Sequence, residues 1–138
     1  MENSKKINEE SHIPELYSKS IIGVFAMLFS AIFGAALLMY NLKKLNNYKG
    51  SIVVLIFGVL YTIGATFLLS ALRNNSNLAI LLNLGGAFLL TTFFWNTYIG
   101  KEYVYKPKKY WKLIIITLLI IALLIFLFLY GHLILMSL

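Results

Sequence analysis

The residues from which chemistry can be argued are few: His12 and His132, the glutamates Glu2, Glu9, Glu10, Glu15 and Glu102, and a line of small and hydroxyl residues. His12 sits among Glu9, Glu10 and Glu15, a mixture that can hold a cation, and two histidines can in principle share a metal or a haem. Neither histidine has a second supporting ligand at metal-site spacing. A solvated acidic tail and a histidine near a helix end are therefore the expectation. The chain has no Cys, Asp or Gln, so thiol redox chemistry is excluded and a carboxylate cluster for a divalent metal is not supplied. No catalytic residue, metal or cofactor is expected, and the chain is not expected to be an enzyme. The hydroxyl pattern is more orderly. Gly58, Thr62, Thr66 and Ser70 recur every four residues, which places them on one face of a helix. Asn83 lies close to Gly85 and Gly86. Such groups can lock helices together or line an uncharged wet path, and packing is the expected role because Ser and Thr satisfy themselves on the preceding turn.

These residues belong to elements defined by where charge is missing. Residues 20–42, 50–72, 74–100 and 113–138 carry no Asp, Glu, Lys or Arg. A helix rises about 1.5 Å per residue and a bilayer core is about 30 Å thick, so each run is long enough to cross. The composition agrees, being 60% hydrophobic and 12% charged where a soluble domain carries about a quarter. The fold class expected is an all-α integral membrane protein with four transmembrane helices in an up-down antiparallel bundle. The spans are placed at about 20–42, 51–72, 77–99 and 112–136. Residues 1–19 form a polar tail in which Pro14 opens a short interfacial segment, with Ile13, Leu16 and Tyr17 on its apolar side.

Loop charge then sets an orientation. With four alternating spans, Lys43, Lys44, Lys49, Lys101, Lys106, Lys108, Lys109 and Lys112 share one side, opposed by Lys5, Lys6, Lys19 and Arg73. The positive-inside rule places the first set in the cytoplasm and both termini outside, with a bacterial inner (plasma) membrane as the expected location. The net charge of +7 flanks membrane spans instead of lining one face, so anionic lipid is the expected partner and nucleic acid is not. Lys43, Lys44, Lys106, Lys108, Lys109, Tyr110, Trp111 and Lys112 are the expected headgroup anchors, since rings settle at headgroup level and ammonium groups snorkel beyond. The loop from Arg73 to Asn77 is short enough to force a helical hairpin, with Ser76 or Asn77 placed to cap the incoming helix.

The spans themselves are unequal. The first offers Gly23, Ala26, Ser30 and Gly34 at spacings of three and four, read as one packing face. Asn83 in the third must find a partner and should face the interior. The fourth is almost unbroken Leu, Ile and Phe. Small multidrug transporters use an intramembrane Glu and quinone-linked disulfide enzymes use paired Cys, and this chain has neither in its spans. Two function classes remain: a structural or accessory membrane subunit, alone as a homo-oligomer or with another membrane protein, and an oligomeric pore or membrane-perturbing effector lined by uncharged polar groups.

Overall fold

The computed structural model describes residues 12–73 and 75–138; Glu2, Lys5, Lys6, Glu9, Glu10 and Asn74 lie outside them. The chain divides into two units, one ending at Lys108 and one running from Lys109 to Leu138. Helix α1 covers Lys19–Leu28, α2 Ala31–Lys44, α3 Tyr48–Ala71, α4 Ser76–Tyr98 and α5 Trp111–Ser137. Three of these, α3, α4 and α5, are long and apolar enough to cross a membrane.

The first charge-free run is not a single helix. α1 stops at Leu28, Ser30 is fully extended with φ 169° and ψ 169°, and α2 begins at Ala31. The two pieces fold back on each other. Gly34 on α2 packs so closely on α1 that a Cβ there would stand 2.6 Å from Ala26 Cβ and 2.9 Å from the Ile22 carbonyl oxygen. At the open end of the hairpin Asn41 clasps the backbone of Tyr17, accepting from its N–H and donating to its carbonyl, both at 2.8 Å. Gly23, Ala26, Ser30 and Gly34 therefore do not share one helical face: Gly23 approaches Thr91 on α4, while Gly34 approaches Ala26. No proline or glycine stands at the break. Its free backbone groups are met by other helices: the Ile32 N–H donates to Thr62 Oγ1 on α3 at 3.2 Å, and Asn83 Nδ2 on α4 donates to the Met27 carbonyl at 3.2 Å. A broken helix exposes N–H and C=O groups that cost several kcal/mol each in hydrocarbon, so these two bonds let the break exist there.

The rest of the first unit is built around this hairpin. α3 lies along α2, with Gly58 set so close to Ala35 that a Cβ there would collide with it and would stand 3.2 Å from the Ile32 Cα. α4 lies along α1, and Gly86 sits between Ala31 of α2 and the ring of Tyr61 of α3. Tyr61 donates to the Leu82 carbonyl at 2.7 Å and the ring of Phe57 lies 4.6 Å from that of Phe94, which fastens α3 to α4. Asn75, not Ser76 or Asn77, caps α4 by accepting from the Asn77 N–H at 3.0 Å, and Arg73, two residues earlier, takes the left-handed conformation at φ 59°. The helix widens to a π-helical stretch at Leu89–Phe94, where the Thr91 hydroxyl donates to the Ala87 carbonyl at 2.8 Å. Ile22, Ala26, Ala35, Leu38, Leu42, Val54 and Leu90 form the core. In the second unit α5 is a single 27-residue helix, apolar on every side.

Removing a partner of the break should cost about 1–3 kcal/mol, the penalty of a backbone group left without a hydrogen bond where no water replaces it. Asn83→Leu and Thr62→Val are each expected to lower the melting transition in detergent. Thr66→Val should stay within about 0.5 kcal/mol of wild type, since Thr66 bonds only its own helix, to the Thr62 carbonyl. Equal losses for all three would remove the break from its role.

Candidate functional site

The open end of the hairpin gathers residues far apart in sequence. Glu15–Leu16 pairs in parallel with Lys106–Pro107, the Lys106 N–H donating to the Pro14 carbonyl at 3.0 Å and the Lys108 N–H to the Leu16 carbonyl at 2.8 Å. Leu16 is thereby sealed from solvent, at 0% exposure. Tyr17 and Tyr40 pack with ring centroids 5.2 Å apart, and the Lys108 ammonium lies over both, 4.3 Å from the Tyr40 ring and 5.4 Å from that of Tyr17, donating to the Tyr40 hydroxyl. Lys44 approaches the Tyr40 ring from the other direction, at 6.0 Å. Lys19, the first residue of α1, donates to Asn96 Oδ1 near the end of α4 at 3.3 Å. Trp95 is buried against Tyr105.

Segment 14–19 therefore stands beside Asn41, Asn96 and residues 106–108. This corrects the expectation that the N-terminal tail and the two basic loops lie on opposite faces. That expectation assumed one unbroken helix between Lys19 and Lys43, whereas a hairpin returns the chain to the end from which it left. Lys19, Lys43, Lys44, Lys49, Lys106 and Lys108 all belong to this end of the first unit, while Arg73 follows α3 at the other.

The expected anchors divide accordingly. Lys43, Lys44 and Lys106 are exposed, and Lys43 and Lys44 occupy the last turn of α2, where cations complement the helix dipole. Lys108 is half-buried and engaged with the two tyrosines. Lys109, Tyr110, Trp111 and Lys112 belong to the second unit, where all four are exposed and the two rings stack 6.1 Å apart. The residues expected to pack helices or line a path separate into three groups. Gly34, Gly58 and Gly86 are points of close helix approach. Ser30, Thr62 and Asn83 meet at the break, Ser30 supplying the extended residue and the other two the caps. Thr66 and Ser70 are exposed and donate to the Thr62 and Thr66 carbonyls of their own helix.

His12 is exposed at the start of the described chain, and His132 stacks on Phe128 along α5. Among the described residues no group of three or more His, Cys, Asp or Glu comes together. Asn41 is the functional-site residue that sequence reasoning missed. It stands beside Tyr40 near the end of the first charge-free run, two residues before Lys43, and the sequence carried no signal of its burial, which comes from Tyr17 packed against it.

The hydrogen bond to Tyr40 holds the Lys108 amine above the usual lysine range, helped by Tyr17, Tyr40 and Glu15 and opposed by partial burial. A lysine raised in the folded state contributes stability that is complete below its unfolded pKa and lost as pH rises through the folded one. The melting difference between wild type and Lys108→Gln should therefore be constant from pH 7 to about 9 and shrink toward pH 11, above the ordinary lysine value of about 10.4. Its size should be about 0.5–1 kcal/mol, typical of an accessible cation–π contact. Asn41→Leu should cost more, because it leaves both backbone groups of Tyr17 unmet. No protein-family model, curated protein or solved structure matches this chain.

Proposed function

We propose that this chain is an accessory subunit of a plasma membrane, of the bacterial inner-membrane type, with no catalytic role. It enters the bilayer from the basic side with a re-entrant hairpin, α1–α2, crosses with α3, α4 and α5, and packs laterally with copies of itself or with another membrane protein. The observation that carries this reading is the use made of its polar groups. Thr62 and Asn83, the two best-placed to line a path, are spent on the broken hairpin, and Tyr61, Thr66, Ser70, Thr91 and Thr117 also donate to backbone carbonyls. What α5 offers outward is hydrocarbon, the surface by which a helix meets lipid or another span.

The re-entrant geometry also supports one orientation. From the level of Tyr17 and Asn41 the hairpin reaches about 15 Å before it turns, half of a ~30 Å core. The N-terminal segment then shares the cytoplasmic side with the basic loops, and only Arg73 opposes the charge bias among the described residues. The C-terminus lies outside, where α5 ends after a single crossing. Anionic headgroups are the partner of the basic side.

Single cysteines test the orientation in a chain that has none of its own. In intact cells Asn75→Cys should react with an impermeant maleimide, while His12→Cys and Asn47→Cys should react only after permeabilisation. Reaction of His12→Cys together with Asn75→Cys would mean that residues 20–42 cross as one span. The accessory role predicts a defined oligomer or a co-purifying membrane protein in mild detergent. A monodisperse monomer without partner contradicts it, and so does ion leak from vesicles that Asn83→Leu or Thr66→Val alters, which would favour a pore.

A further inference from the structure

Between α1 and α4 runs an open groove of about 790 Å³, lined by Gly23, Val24, Met27, Leu84, Phe88 and Thr91, with Lys19 and Ser20 at one end. Its lining is almost wholly apolar. The groove is a product of small residues: Gly23 contributes no side chain, and Thr91, set in the π-helical stretch, turns its hydroxyl back to the Ala87 carbonyl and presents its methyl toward Gly23. From Lys19 to Met27 it extends about 12 Å along α1, most of the ~15 Å hydrocarbon depth of one leaflet. The polar end is the end that carries the basic cluster, and the apolar end approaches the hairpin break.

We propose that this groove is a binding site for one anionic phospholipid of the basic-side leaflet, with an acyl chain laid along Gly23, Val24 and Met27 and the headgroup phosphate at Lys19. The inference rests on the membrane reading above and adds a ligand to it. Charge complementarity identifies the occupant. Lys19 is the first residue of α1, where the helix dipole disfavours a cation, and no acidic residue stands in that first turn. The hydrogen-bond partner of its ammonium is the neutral amide of Asn96, which positions the charge without neutralising it. A lipid phosphate supplies a negative charge that Lys19 does not find among the described residues, and its acyl chain fills a surface that neither water nor a polar ligand can satisfy. A helix from a second copy would fill the apolar part and leave Lys19 unmatched.

The full-length protein, extracted from membranes in mild detergent and stripped of lipid, is titrated with phosphatidylglycerol or with phosphatidylcholine of identical chains, and bound lipids are counted by native mass spectrometry. Wild type should take up one phosphatidylglycerol ahead of phosphatidylcholine. Lys19→Gln should cut that preference about fivefold, the effect of one lysine near an anionic headgroup, while leaving uptake of phosphatidylcholine unchanged. Val24→Trp, at an exposed position in the groove wall, should reduce uptake of both lipids. The double variant Lys43→Gln/Lys44→Gln should retain the preference. Equal uptake of the two lipids by wild type overturns the proposal. So does a Lys43→Gln/Lys44→Gln loss as large as that of Lys19→Gln, which would assign the effect to the basic face at large. A stable dimer that excludes lipid until Val24→Trp dissociates it would put a protein helix in the groove instead. A chain recovered without detergent in the soluble fraction refutes the membrane reading itself, which separates that failure from failure of the site.

Discussion

A helix interrupted inside an apolar layer must find partners for the backbone groups it frees, and this fold is arranged around that requirement. The Ile32 N–H and the Met27 carbonyl flank the turn at Phe29–Ser30, and they are met by a hydroxyl from α3 and an amide from α4. Each bond is ordinary in length. On the proposed membrane reading their weight would come from the surroundings, because hydrocarbon offers no alternative donor or acceptor. They also dictate neighbours. α3 must lie where Thr62 reaches the start of α2, which brings Gly58 onto Ala35, and α4 must lie where Asn83 reaches the end of α1, which brings Gly86 onto Ala31. The small residues permit the approach, and the two polar groups give it a register.

The other end of the hairpin obeys the same logic in a wetter setting. A hairpin brings its two ends together, and Asn41 joins them by pairing with both backbone groups of Tyr17. Once that clasp exists, Pro14–Leu16 presents backbone to residues 106–108, and Lys108 settles over Tyr17 and Tyr40. The electrostatic consequence is large. Charges that alternation of four spans would scatter over both faces collect at one, and the chain carries no Asp, Glu, Lys or Arg from Ser20 to Leu42 and from Gly50 to Leu72. On the proposed reading, a one-sided lysine cluster of this kind would meet an anionic leaflet and set the orientation of the chain within it.

Function follows from what is left over after these demands. Hydroxyls and amides that looked available in a linear pattern are committed to the chain's own backbone, which speaks against conduction through the Thr–Ser stripe of α3. The surfaces that remain are the hydrocarbon of α5, the basic end and the groove beside Lys19. On the proposed reading all three would meet lipid or another membrane helix.

The sequence by itself determined the element types and the medium. Length and hydropathy were sufficient for α3, α4 and α5, because a long apolar run with its few charges at the ends has few other stable forms. Asn83 was legible as a group in need of a partner, and Gly34, Gly58 and Gly86 as places of close approach. The identity of Asn83's partner was not legible. Residues 20–42 look like a complete span: they are apolar throughout and contain no proline, and Ser30 is a residue that an intact helix tolerates. Their break depends on Thr62 and Asn83, which lie 30 and 56 residues from the backbone groups they satisfy. Local sequence carries propensity and periodicity. Whether a carbonyl bonds within its own helix or to an amide on another is decided only when the helices are packed, and here that choice also brings residues 14–16 beside residues 106–108.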